Sequence, residues 1–393
     1  MQHTDSVLKP LWDIRKQVLQ HLLQGALEQG FSFSLWRTPS DETVKLIICR
    51  EAEWCDEVSL EDSTSGFLIA PFLPESKKVF LKADQYFEFT KERIIKNGEE
   101  IDLPIEDKPN QVRLAFHYPR TDRSALLESG DSFLNLVHQG IQEIEKGVFE
   151  KIVPSRCKKV ELSPDADLIG YFERLSTTYP NALISLTSTP LTGTWLGATP
   201  ELLVKVDSNQ VFHTVALAGT QRYIQGTDLK SISWTQKDIE EQALVSRYII
   251  NCFKKIRLRE FDEHGPKTVL AGNVLHLKTE FKADMAATNF PQLGTVMLKL
   301  LHPTSAVCGM PLDNALHFLT TREGYDRELY SGYLGPVNIQ RETQLYVNLR
   351  CLQAFPSNAI LYAGAGVTID SDPEKEWEET ELKMRTLLQV IQP

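Results

Sequence analysis

The stretch ALISLTSTPLTGTWLGATPELLVKVDSNQVFHTVAL, Ala182 to Leu217, decides the fold. Two runs within it, residues 182–187 and 211–217, have the apolar, β-branched character of strands. Similar short runs precede it at residues 31–36, 44–49, 66–72, 112–116 and 151–162, and follow it at 269–276, 346–351 and 359–363. Helical periodicity marks residues 11–27, closed at Gly30, and residues 133–145, closed by Gly147. It returns at residues 234–256 and 373–391. The strands come in successive runs and not in strict alternation with helices. The expected class is therefore α+β, not a doubly wound parallel sheet. Residues 91–110, charged and proline-containing, read as a surface connection.

A chain of 393 residues, 42% hydrophobic and 24% charged, is long enough to bury a core without staples. With 42 basic and 53 acidic residues its net charge is −11, which speaks against a nucleic-acid partner. A small anionic substrate needs only local positive charge. The six cysteines form no CxxC pair and no zinc spacing, so they read as buried thiols in a reducing compartment. The N-terminus lacks a signal-peptide core, and no apolar run approaches the roughly 20 residues of a membrane span. The expectation is a cytoplasmic protein with no membrane partner. No GxGxxG or Walker loop supports nucleotide binding.

Two helices carry acids on their apolar side. In residues 234–256 the stripe is Leu244, Val245, Tyr248, Ile249, Cys252, Phe253 and Ile256. Glu241 shares that face, with Asp238 one turn earlier. In residues 373–391 Glu376, Glu379 and Lys383 align with Leu387 and Val390. Carboxylates leaning toward a core need partners, and a shared divalent cation would satisfy them. Oxygen ligands without His or Cys suit Mg²⁺. Solvated acids, with Glu379 and Lys383 as an exposed i,i+4 pair, are the alternative.

Polar groups are also embedded in strand-like runs. Lys151 opens KIVPSR; it either marks a strand end or, desolvated, serves as a general base. Glu201 follows the turn GATPE and precedes LLV. In an apolar pocket it becomes a general acid, and otherwise it faces water. Alternation in YVNLRC sets Arg350 beside Tyr346 and Asn348, where it could clamp a carboxylate or close a salt bridge. Gly364, Ala365 and Gly366, and likewise Gly219 and Thr220 in LAGT, either admit an anion to the backbone or form tight turns. His276 and His302, taken alone, read as satisfied core histidines.

In order along the chain stand KIVPSR, GATPELL, LAGT, KDIEEQALV, HLKTEF, LHPTSAVCG, YSGYLG, VNLRC and GAGVTIDSDPEKEWEETELK. Together they resemble the chorismate-utilising enzymes: isochorismate and salicylate synthases and the synthase components for anthranilate and aminodeoxychorismate. The resemblance runs from about Lys151 to Arg385. It implies one large domain over residues 1–393, with a divergent part at 1–130 and the motif-bearing part at 131–393. The implied fold is two antiparallel sheets packed face to face, helices outside, and the active site in a cleft.

By the same resemblance Glu241 and Glu379 are direct Mg²⁺ ligands, and Asp238 and Glu376 act through metal-bound water. The substrate would be chorismate, its ring carboxylate held by the metal, the backbone near Gly366, and Lys383. Arg350 and Tyr330 would hold the enolpyruvyl carboxylate, with Gly219, Thr220, His276, Ala306 and Gly364 lining the site. Lys151 resembles the general base and Glu201 the general acid.

Lysine at 151 points to water as nucleophile, as in isochorismate synthase, and aminodeoxychorismate synthases share it. Ala306 followed by Val307 resembles isochorismate synthases, where salicylate-forming and amine-forming relatives carry threonine. Salicylate synthase is the alternative, with amine-forming components and a non-catalytic chorismate-binding protein behind it. The expected enzyme is a monomeric isomerase whose product would feed menaquinone, catecholate siderophore or salicylate synthesis. Pro154 and Gln242 depart from the family pattern, which usually has an aliphatic residue and often a histidine there.

Overall fold

The structure, a computed structural model, describes residues 5–101, 114–119, 130–163, 166–224, 226–271 and 274–392. Every strand pairing among these residues is antiparallel. One sheet has ten strands in the order Ser155–Glu161, Asn358–Gly364, Cys351–Ala354, Gly193–Thr199, Leu183–Thr189, Ser32–Arg37, Val44–Cys49, Gln85–Phe89, Ile94–Lys96 and Glu99–Ile101. The other has nine: Asp262–Ala271, Val274–Asp284, Val211–Arg222, Leu202–Val206, Thr343–Val347, Tyr333–Val337, Gly66–Ala70, Lys78–Lys82 and Glu53–Cys55.

The sheets pack face to face. Trp36, Ile47, Leu183, Trp195 and Tyr362 of the first interleave with Phe67, Ile69, Val79, Leu81 and Tyr346 of the second. Seven α-helices stand among the described residues: α1 (Asp5–Glu28), α2 (Gly130–Glu145), α3 (Leu168–Thr178), α4 (Gln236–Lys255), α5 (Leu293–Leu301), α6 (Leu312–Arg322) and α7 (Pro373–Ile391). α1, α3 and α7 cover the outer face of the ten-stranded sheet. α4 and α5 cover the nine-stranded one. Strands buried on both faces explain the near-continuous apolar runs, such as Leu183–Thr189 and Gly193–Thr199. α2 and α6 pack around a two-stranded ribbon, Lys151–Ile152 with Gly309–Met310.

The α+β expectation, with two face-packed antiparallel sheets and helices outside, matches this architecture. Four local readings do not. The run 269–276 is not one strand: Ala271 ends one long strand and pairs antiparallel with Val274, which begins the next, and residues 272–273 lie outside the described residues. The run 346–351 is not one strand either. Val347 ends a strand of one sheet and Cys351 begins a strand of the other, so the chain crosses the sandwich at Asn348–Arg350. Arg350 has φ +48° there, which ends the alternation read across it. Within 91–110, residues 94–96 and 99–101 form a hairpin, and 102–110 lie outside the described residues. Of the run 112–116, residues 114–116 are not in a strand and the first two lie outside the described residues. No described helix is long and apolar enough to cross a membrane.

Candidate active site

At the sheet crossover lies a cavity of about 70 Å³. Its lining includes Glu201, Gly219, Thr220, Glu241, His276, Ala306, Tyr330, Arg350, Gly364 and Lys383, all named from the sequence. Lys151 reaches it through Glu241. Its side chain is fully buried, and its Nζ donates to Glu241 Oε1 at 2.6 Å. Pro154 has no N–H to give a ladder, and the strand from Lys151 breaks after Ile152 and restarts at Ser155. The break hands Lys151 to the short ribbon under α2 and α6 instead of the large sheet.

Gly366 makes the approach possible. A Cβ there would stand 2.5 Å from Glu241 Oε1 and 3.2 Å from Lys151 Cε. The N–H groups of Ala365 and Val367 are taken by Pro154 O and Ile152 O, so of the GAG run Gly366 faces the pair. Gly219, at φ +71°, sits where the ladder between Val211–Arg222 and Val274–Asp284 slips between Ala218 and Gln221. Such a bulge re-aims backbone groups. Here Gly219 O accepts a 2.6 Å hydrogen bond from His276 Nδ1. That contact leaves the neutral ring with a bare acceptor, Nε2, which is buried and unpartnered. Burial, then the Arg350 charge, hold His276 down at about 3, so it is neutral in use.

Burial pushes Glu201 up to about 7, against the opposing pull of Lys151, Lys383 and Arg350. Glu241 behaves oppositely. Burial would raise it, but Lys151, Lys383 and Lys237 together hold it below the usual carboxylate range. Two acids in one cavity are thus driven apart, the pattern expected of a proton donor beside a permanent anion. Tyr330 stacks on Tyr362 at 5.4 Å and 14°, and burial lifts its phenol to about 12. Arg350, half-buried, brings a cation into the same cavity and feels the Tyr330 phenol.

The remaining acids lie behind this wall. Glu379 receives Lys383 Nζ at 2.7 Å, and the same ammonium donates to Gly364 O at 2.8 Å. Glu376, 1% exposed, takes Lys237 Nζ at 2.5 Å. Asp238, expected to act through metal-bound water, sits at the start of α4. It is the third residue of the α4 capping box, its Oδ2 accepting from Thr235 N and Oγ1 and from Gln221 Nε2. Among the described residues no three His, Cys, Asp or Glu groups stand close enough to hold an ion as they are. Each of the three glutamates is paired with a lysine ammonium: Glu241 with Lys151, Glu376 with Lys237 and Glu379 with Lys383. Glu241, Glu376 and Glu379 nonetheless all act on one group, Lys237, so they share a common field. Their oxygen-only donor set fits a hard divalent cation once the lysines turn aside.

Sequence reasoning missed a buried clamp under the site. Arg327 grips Glu323 through Nε at 2.6 Å and Nη2 at 2.7 Å. It also donates to Val307 O and Val153 O at 2.8 and 2.7 Å. Glu323 in turn accepts from Ser155 N and Oγ. The segments carrying Lys151 and Ala306 are thereby tied together. The only signal was an acid and a base at i,i+4, which reads as a solvated surface pair. Gln242, the departure from histidine, is buried and donates to Ser246 Oγ and Thr279 Oγ1. It fastens α4 to the strand below. His302 is a core histidine, bonded to Pro71 O and packed edge-on against Tyr333.

A charged cavity that holds a glutamate with a raised pKa, a lysine and an arginine, at the crossover between two antiparallel sheets, suits a small polyanion. The chain belongs to the chorismate binding enzyme family, whose model matches residues 78–392. It is 30% identical over 277 residues to isochorismate synthase DhbC of Bacillus subtilis strain 168, covering 66% of this chain and 68% of the relative. Isochorismate synthase EntC of Escherichia coli K12 is 28% identical over 247 residues, 62% of each chain. The structure of MenF, the menaquinone-specific isochorismate synthase from Escherichia coli, superposes with TM-score 0.72 at 19% identity. That superposition covers 94% of this chain and 91% of that one, and shows a shared fold.

Proposed function

We propose that the protein is an isochorismate synthase, a single-domain, monomeric, cytoplasmic isomerase that moves the ring hydroxyl of chorismate from C4 to C2. The observation that carries this reading is a cavity lined by Glu201, whose carboxyl burial pushes up to about 7, with Lys151 set behind Glu241 at its wall. Lys151 is the base that takes a proton from a water adding at C2. Glu201 gives its proton to the departing C4 hydroxyl, so one water enters and one leaves. His276 Nε2 is an acceptor suited to a substrate hydroxyl. Arg350 and Tyr330 suit the enolpyruvyl carboxylate, and Lys383 with the Gly366 backbone the ring carboxylate. Glu241, Glu376 and Glu379 would hold Mg²⁺. Bound, the ion would offset substrate charge, orient the ring and draw Glu241 off Lys151.

Ala306 and Val307 line the cavity with apolar side chains, which favours stopping at isochorismate over continuing to pyruvate elimination. The test is incubation of purified protein with chorismate and Mg²⁺ and separation of products by chromatography. Isochorismate is expected. Salicylate with pyruvate as main products would overturn the choice of reaction.

A further inference from the structure

Behind Glu201, on the side away from the substrate cavity, lies a second and much smaller cavity. Glu201 is the only described residue common to the two linings. Most of the small cavity is apolar: Leu203, Val245, Ile249 and Leu301 among others. Three polar side chains border it besides that of Tyr248: Glu201, Thr214 and Thr304. Thr214 Oγ1 donates to Leu203 O at 2.7 Å, so its oxygen keeps lone pairs for a further donor. Thr304 Oγ1 is buried with no hydrogen-bond partner among the described residues, in a residue 9% exposed. A buried hydroxyl left unpaired costs about 1–3 kcal/mol, and such groups are normally satisfied by water.

We infer that this cavity holds one ordered water, bridging the Thr304 hydroxyl to the back of the Glu201 carboxyl, and that Thr304 is a positioning residue for proton transfer. The inference rests on the reaction proposed above. The Glu201 carboxyl makes no hydrogen bond to the described residues. It must nevertheless become an anion each time it gives up its proton. On the substrate side the charged and titratable groups around it are Lys151, Lys383 and Arg350, with His276, Glu241 and Tyr330. None of these borders the small cavity. Its one titratable neighbour there, Tyr248, is kept protonated by burial, and its hydroxyl is already given to Leu300 O at 2.8 Å. A water fixed by Thr304 and Thr214 is then the donor available at the back of the carboxylate. No atom is consumed: the water donates a hydrogen bond to the anion and stays in place.

Losing that donor destabilises the Glu201 anion and leaves the protonated form untouched. Thr304→Val, nearly isosteric, removes the anchor; Thr304→Ser keeps it. In the forward direction Glu201 starts protonated, so the basic limb of the pH profile moves up in Thr304→Val. In the reverse direction it starts ionised, so there the acidic limb moves up. A shift of about one pH unit, with kcat about tenfold lower and KM unchanged, matches one lost hydrogen bond to a charged group. Thr304→Ser is expected to follow the wild type in both directions. A merely structural role would lower activity without moving either limb.

The experiment joins these profiles to crystal structures of the wild type and the valine variant. Density for a water between Thr304 and Glu201, absent in the variant, supports the inference, as does the paired shift of the limbs. A dry cavity in the wild type, or limbs that coincide in the Thr304→Val and wild-type enzymes, overturns it. If the valine variant does not fold, the wild-type density decides alone. A wild-type protein that leaves chorismate unchanged defeats the proposed reaction; the water site is then judged on density alone.

Discussion

Glu201 stands between two strands with 6% of its surface exposed, and burial lifts its carboxyl to about 7. As an acid it must start each forward turnover protonated. Forward activity should therefore fall as pH rises through about 7, a limb read directly from a pH–rate profile. Glu201→Gln should cost about 10²–10⁴ in kcat and remove that limb. Gly366 gives a second residue-level prediction. In Gly366→Ala the new methyl meets the Glu241 carboxylate at 2.5 Å, a flexible end and not backbone. The fold should survive, with a melting temperature near the wild type, while displacement of Glu241 and Lys151 cuts turnover about a hundredfold. These positions were legible because a lysine, a glutamate and an arginine break otherwise apolar runs. Thr304 was not: its significance lies in a missing partner, which only coordinates reveal.

At the scale of elements, the chain's punctuation decided what could be read. The helices at residues 133–145, 234–256 and 373–391 emerge almost as drawn, because each has a one-sided stripe. Strands were harder to bound. A strand buried on both faces loses its period of two, so Tyr346 to Cys351 looked continuous although it serves two sheets. The helices α3, α5 and α6, with 11, 9 and 11 residues, are too short to declare a period. The segment after α6 supplies the clamp of Glu323 and Arg327, 2% exposed each. Removing one partner strands the other charge in the core. Arg327→Met should therefore destabilise the protein by about 3–5 kcal/mol in urea unfolding. Adding Glu323→Gln should restore part of that loss, because the orphaned charge is gone. A double variant no better than the single would show that the cations' links to Val153 O and Val307 O dominate.

Across the whole molecule, the acids come from opposite layers of the sandwich. Glu241 rides on α4, over the nine-stranded sheet, while Glu376 and Glu379 ride on α7, over the ten-stranded one. The Lys237–Glu376 pair, at 2.5 Å, already bridges the two helices. Lys151, from the short ribbon, pairs with Glu241, and Lys383 pairs with Glu379 within α7. Each ammonium thus holds a carboxylate whose oxygens suit a divalent cation. Mg²⁺ should therefore stabilise the folded chain by about 2.7 kcal/mol at a hundredfold excess over its dissociation constant, seen as a rise in melting temperature. EDTA should abolish both that rise and turnover. Glu379→Gln should weaken both responses together without unfolding the protein, since Lys383 keeps Gly364 O as a partner. Turnover that survives EDTA, or a melting temperature indifferent to Mg²⁺, would leave the three carboxylates as structural partners of lysine and remove the metal from the mechanism.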